Sequence, residues 1–336
     1  IAVGLGIAIS SATQDITIDA LRIEQIGENE KDLLSAGAAI SVVGWWTGYK
    51  IGGLVSLISA DILQKQGVEN YWQLSFLMLS AIIMLCSIGL LFIPEKNSEE
   101  KVKLQNLASQ KIVKKIGFSN NFVKIFTWLY ITIINPLLSF FKKNTVKVAF
   151  AILSFVFLFK IGEAFLGRMS LVFYKEIGFS KTDIALYSKG IGWLTTVTFT
   201  LLGGLFAVRM GLVKAMFVSG ILMALTNILF SVLAWVGNSE TLFAFTVLVD
   251  DLAAAFATVA FVGFISALVD RNYTATQYAL LASIGTAGRT FFASSSGMMV
   301  DWLDGNWIVF FIITALMVIP SLICLYLIRK KLNLNE

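Results

Sequence analysis

The sequence predicts an all-α integral membrane protein, and three observations carry that prediction. The residues are 57% hydrophobic and only 14% charged, whereas a soluble domain carries about 25% charged residues. Apolar runs of about 20 residues, the length that crosses a bilayer as a helix, recur along the chain. Lys and Arg gather in alternate loops, the mark of a defined orientation in a membrane. Twenty-seven Phe and eight Trp suit lipid contact and interfacial belts. Histidine is absent, which excludes His-based proton relays, His metal sites and Ser-His-Asp catalysis. Any proton carrier must then be a carboxylate. The cysteines, Cys86 and Cys324, lie inside apolar runs and read as packing residues. No metal or cofactor is expected.

Nine spans follow in order: 1–20, 36–60, 71–93, 147–172, 182–207, 214–236, 240–269, 275–300 and 305–328. Thr274-x-x-Gln277 and Ser180-x-x-Asp183 read as capping boxes opening two of them. Segments 21–35, 94–146, 208–214, 270–274 and the tail from 329 carry most of the 26 basic residues. The opposite loops hold Lys65, Arg168, Lys175 and Lys181. The positive-inside rule therefore predicts a cytoplasmic C-terminus. It also accounts for the net charge of +5 through topology, with no nucleic-acid partner.

Segment 94–146 divides the chain into 1–93, a linker, and 147–336. Glu95 to Lys115 is polar, while Phe122 to Phe141 is apolar with lysines at both ends. A span there would invert every later loop, so an interfacial helix on the cytoplasmic face is expected. Three spans precede the linker and six follow it. Transporters built from two six-helix halves carry such a linker between the halves. Residue 1 is Ile and no basic segment precedes the first apolar run, so that run does not read as a signal peptide. The expectation is a chain that begins inside a larger protein, its first span being the fourth of twelve.

Residues 11–24, SATQDITIDALRIE, and 37–56, GAAISVVGWWTGYKIGGLVS, resemble the fourth and fifth helices of AmpG-type muropeptide permeases, members of the major facilitator superfamily. FKIGEAFLGRMSLVFYKEIGFSKTDIALYSKGIGW (159–193) is similar to the seventh helix and the start of the eighth, and NYTATQYALLASIGTAGRTFFASSSGMMVDWLDGNW (272–307) to the eleventh and the turn that follows. The ATQD-x3-DA motif is the most specific of these, although eukaryotic acetyl-CoA transporters carry a similar ATQD stretch. The resemblance implies a major facilitator fold with about nine of twelve helices present. It also implies proton-driven import of anhydromuropeptides (GlcNAc-anhydro-MurNAc, with or without a stem peptide) across the bacterial inner membrane, by a monomer. The alternatives are transport of acetyl-CoA or another anionic ligand and, remotely, a non-transporting membrane sensor or enzyme. No nucleophile-base set, metal cluster or phosphate loop favours an enzyme.

Charge is expensive in hydrocarbon, so ionisable residues within spans are the candidate site. Asp15 and Asp19 stand four apart on one helix face. Two neighbouring carboxylates repel, and a proton on one relieves the repulsion, so both are candidate proton carriers. Asp19 is alternatively a latch partner of Arg22. Gln14 suits a sugar hydroxyl or N-acetyl group. Lys50 needs a carboxylate, either on the ligand or as a salt bridge to Asp15 or Asp19. Tyr49, Trp45, Trp46 and Trp193 offer rings for stacking or interfacial anchoring. Lys160 and Glu163, three apart, form a local pair, with Glu163 assigned to coupling and Lys160 to substrate. Arg289 suits bidentate capture of a carboxylate. Lys189 reads as snorkelling. Asp250 and Asp251 point about 100° apart, so at most one faces a cavity well, and their role stays open.

Overall fold

A computed structural model describes residues 1–27, 30–94, 129–180 and 192–332, with isolated positions between. It is 87% helical, with no strand among the described residues. The first three helices are α1 (Ala2–Gln25), α2 (Lys31–Lys65) and α3 (Tyr71–Leu90). A π-helical turn at Tyr130–Ile134 leads into α4 (Asn135–Asn144), followed by α5 (Val146–Leu158) and α6 (Ile161–Ile177). Next come α7 (Gly192–Met210), α8 (Leu212–Val236) and α9 (Glu240–Leu268). A 3-10 turn at Arg271–Tyr273 precedes α10 (Thr274–Ala293), α11 (Ser296–Trp302), α12 (Trp307–Leu316) and α13 (Ile319–Ile328).

Among the described residues, six helical segments are long and apolar enough to cross a bilayer: α3, α5 with α6, α7, α8, α9, and α12 with α13. The three remaining expected spans are helical as well, in α1, α2 and α10–α11. These carry Asp15, Asp19, Lys50 and Arg289, and polar groups dilute their hydropathy. The fourth expected span is broken at Phe159–Lys160 and the ninth at Met317–Val318. Pro320 explains the second break, because a proline in the first turn of α13 has no N–H for the preceding helix.

The capping box expected at Thr274 is not formed. Thr274 is already helical, and its hydroxyl donates back to the Arg271 carbonyl at 3.1 Å. Gln277 reaches further, accepting from Asp270 N at 2.7 Å and donating to Pro136 O at 2.9 Å. The intervening 3-10 turn moves the cap to Asp270, whose carboxylate accepts from Asn272 N. Asp183, half of the other expected box, lies outside the described residues.

α4 falls within the segment expected to form an interfacial helix. Pro136 and Phe140 are buried on it, and Ser139 bonds Asp270 at 2.9 Å. Most of the expected linker, 95–115, lies outside the described residues.

Two aromatic-rich clusters form the core. One gathers Ile152, Phe155, Phe159, Met216 and Phe264, and the other Phe165, Phe173, Phe230, Phe243, Phe310 and Phe311. They meet along the chain at Lys160, between Phe159 of the first and Ile161 of the second. The early helices join the later ones by α2 packing on α7 and α9 and by α1 packing on α10. Small residues, Ala38 and Ala39, seat α2 against Val259 of α9. α3 leaves nearly all its apolar surface exposed.

Candidate functional site

α1 is an apolar helix with one polar face. Thr13 and Thr17 return their hydroxyls to their own helix, on Ile9 O at 2.8 Å and Gln14 O at 2.8 Å, which satisfies them locally. Asp15 and Asp19, a turn apart, line a cavity of about 450 Å³ between α1 and α10. The opposite wall is Tyr278, Ala282, Ser283, Thr286 and Thr290, whose i, i+4, i+5 and i+8 spacings keep them near one helix face. The lining therefore offers carboxylates and hydroxyls, and among the described residues it includes no Lys or Arg.

The two carboxylates are held differently. Asp15 is exposed to the cavity and takes no hydrogen bond or ion pair from the described residues. Asp19 is buried, and its Oδ1 accepts from Arg22 Nη2 at 3.0 Å and Nε at 3.2 Å, with Ser41 of α2 at 3.4 Å. Arg22 continues the chain of contacts. Its Nη2 donates to Ser266 of α9 at 3.1 Å, and its guanidinium lies 5.9 Å from the Tyr278 ring centroid. Arg271 adds a second tie by donating to the carbonyl of Ile23. That carbonyl, which also accepts from Ile26 N at 3.3 Å, is one of the last of α1, where the dipole favours a cation. Arg22 and Arg271 thus tie α1 to Ser266 of α9 and to the α9–α10 connection. Gln14 is exposed and lies outside the cavity lining.

Lys50 does not pair with Asp15 or Asp19. Its ammonium donates to Thr196 of α7 at 3.1 Å and stands 5.1 Å from the Trp46 ring centroid. Helix geometry explains the difference. Ser41 is the α2 residue that meets Asp19, and nine residues further on Lys50 projects about 180° away around the axis. Tyr49 is exposed and stacks on Trp45 at 5.8 Å and 7°. Trp193 of α7 reaches Thr47 at 3.3 Å, on the same α2–α7 seam. Lys189 lies outside the described residues.

The Lys160–Glu163 pair is formed. Lys160 occupies the α5–α6 break with 5% of its surface exposed. Its ammonium lies 3.0 and 3.2 Å from the two Glu163 oxygens and 2.7 Å from Thr258 Oγ1 of α9. Two glycines set this region. A Cβ at Gly162 would stand 2.5 Å from Thr314 O, and one at Gly288 would stand 2.0 Å from Phe157 O. Only glycine permits both backbone approaches, and each immediately precedes a charged residue, Glu163 or Arg289. Arg289 is exposed, has no hydrogen bond or ion pair among the described residues, and is close enough to Lys160 for their charges to interact.

Asp250 and Asp251 diverge as expected of neighbours on a helix. Asp250 is near enough to Glu163 and Lys160 for their charges to interact. Asp251 accepts from Thr195 of α7 at 3.4 Å. Sequence reasoning missed Thr196, Thr258, Ser266, Arg271 and Tyr278. Their only signal was a hydroxyl in an apolar helix or, for Arg271, a base in a short loop.

No family profile matches the chain. Over 332 residues the chain is 31% identical to Putative transporter AmpG 4 of Rickettsia felis, covering 98% of this chain and 72% of that protein. The Rickettsia conorii protein of the same name is 32% identical over 326 residues, 96% of this chain and 70% of that one. The Anhydromuropeptide permease of Escherichia coli K12 is 28% identical over 334 residues, covering 99% of this chain and 60% of that protein. These names are those of transporters and permeases, not of enzymes. With an alignment running nearly end to end and apolar helices throughout, the chain belongs to the AmpG family of multi-pass membrane transporters.

Proposed function

We propose that this protein is a proton-coupled permease that imports anhydromuropeptides across a bacterial inner membrane by alternating access. The observation that carries the reading is the α1–α10 cavity, in which Asp15 is uncommitted and Asp19 is engaged by Arg22. Its volume of about 450 Å³ falls within the usual range of small-molecule sites, about 300–1,000 Å³. Carboxylates accept from sugar hydroxyls, and Ser283, Thr286 and Thr290 can both donate and accept. A lactyl or peptide carboxylate on the ligand would be captured bidentately by Arg289 of α10. Gln14, Tyr49 and Lys50 remain proposed ligand contacts reached in other states of the cycle.

In this reading Asp15 carries the proton. Residues 1–93 and 147–336 act as two bundles joined by the 94–146 linker, and the C-terminus faces the cytoplasm. The Asp19–Arg22–Ser266 chain closes the cytoplasmic side and parts as the bundles rock.

The test is uptake of labelled GlcNAc-anhydro-MurNAc into proteoliposomes with and without an inward proton gradient. Accumulation above equilibrium only with the gradient is the expected result. Gradient-independent uptake would end the coupling claim, and strong competition by acetyl-CoA would end the substrate assignment.

A further inference from the structure

We infer that the junction of α4, α5 and the end of α13 is a binding site for anionic phospholipid at one membrane–water boundary. Contacts between helices set its geometry. α5 and α6 follow each other through one span, as do α12 and α13, with α12 packed on α6 and α13 on α5. The two spans are therefore antiparallel, and the end of α13 lies beside the start of α5. α4 also packs on α5 and is joined to it by Thr145. Phe140, Val148, Ile328 and Leu332 are buried in one cluster and fix this junction.

Six basic residues are gathered there: Lys142 and Lys143 ending α4, Lys147 opening α5, and Arg329, Lys330 and Lys331 following α13. The three helices contain no Asp or Glu. Among the described residues none of the six side chains makes a hydrogen bond or ion pair. Arg329 instead lies over the Tyr326 ring, 3.6 Å from its centroid. The carboxylate that α4 does touch, Asp270, is held by Ser139 at 2.9 Å and by Asn272 N. Bases that only fix topology need no such assembly.

An apolar surface leads up to these cations. Ile323 and Leu327 of α13 are exposed, and Lys330 follows them at i+7 and i+3 on the same face. Val146 and Phe150, one turn apart on α5, are exposed as well. In a bilayer such faces meet acyl chains, and long basic side chains reach the headgroup level. A phospholipid of net negative charge satisfies both parts, with chains on the apolar faces and phosphate among the cations. Free phosphate uses only the cations, and a zwitterionic lipid brings a cation of its own. The inference needs only the membrane-spanning character of the chain and does not depend on the transport proposal.

The test is thermal unfolding of the purified full chain in nonionic detergent, titrated with phosphatidylglycerol, phosphatidylcholine or glycerol phosphate. Phosphatidylglycerol is expected to raise the unfolding midpoint saturably, and the other two to leave it unchanged. An equal rise with phosphatidylcholine, or a rise with glycerol phosphate alone, would overturn the site. Each Lys or Arg near an anionic lipid surface is worth about fivefold in affinity. Lys330→Gln combined with Lys331→Gln should then raise the half-maximal lipid concentration about 25-fold, with the lipid-free midpoint unchanged. Lys65→Gln combined with Lys175→Gln removes two charges from the opposite boundary and should leave the titration as in wild type. A wild-type titration in the first pair, or an equal loss in the second, would end the proposal. Should the first pair fail to fold, Lys142→Gln combined with Lys143→Gln carries the same expectation and is overturned by the same result.

Discussion

The charges at the end of α1 and those at the α5–α6 break face the same problem, ionised groups among apolar helices, and are accommodated differently. Near α1, Asp19 and Arg22 join three elements, reaching Ser41 on α2 and Ser266 on α9, and Asp15 is left open to a cavity. At the break, Lys160 and Glu163 close on each other and on Thr258, between two aromatic clusters. The first set has one carboxylate to spare and spans helices far apart in sequence. The second is enclosed, and its neighbours Asp250 and Arg289 stand outside the ion pair. An open set suits a ligand and a moving joint, whereas a closed one holds a fold.

Substitutions can break that contrast, in descending order of effect on stability. Lys160→Met strands Glu163 without its partner, and loss of one member of a buried pair costs about 3–5 kcal/mol. Thermal unfolding of the purified protein should report it. Lys160→Met combined with Glu163→Leu should recover much of the loss, and failure to recover would show that the pair is not the closed unit described here. Arg22→Ala removes charge-assisted hydrogen bonds to Asp19 and one to Ser266, with an expected cost of about 1.5–3 kcal/mol. It should also raise labelling of a cysteine placed at Ser266, because the tie between α1 and α9 is gone. Unchanged labelling would remove the latch.

Asp15→Asn should change stability least, within about 0.5 kcal/mol, since no described partner is lost. Its effect is on transport, where gradient-driven accumulation should disappear. A large stability loss in Asp15→Asn would mean that Asp15 is structural and would collapse the contrast between the two sets.

Much of the helix plan was legible because hydrophobic run length and the placement of Lys and Arg are properties of the chain alone. Asp15 with Asp19 and Lys160 with Glu163 were legible for the same reason, since spacings of four and three place residues on one helix face whatever the helix packs against. The salt bridge considered for Lys50 with Asp15 or Asp19 is not made, because its contacts depend on how α2 is rotated against α1 and α7, which no local pattern encodes. The capping box at Thr274 failed because a 3-10 turn, tied to α4 through Gln277 and Ser139, moved the helix start.

By itself the sequence determined an all-helical membrane chain, its charged helix faces and its family motif, because each depends on residues within a few turns of one another. The tertiary structure alone decided that Asp15 is open while Asp19 is engaged. It also turned Lys50 toward Thr196, and it let Asp250 and Asp251, adjacent in sequence, serve different neighbours. Those outcomes depend on the rotation and close approach of helices distant in sequence, set here by contacts such as Gly162 on Thr314 and Gly288 on Phe157. In an interior that punishes unpaired charge, such rotations decide which ionisable groups pair and which stay available for transport.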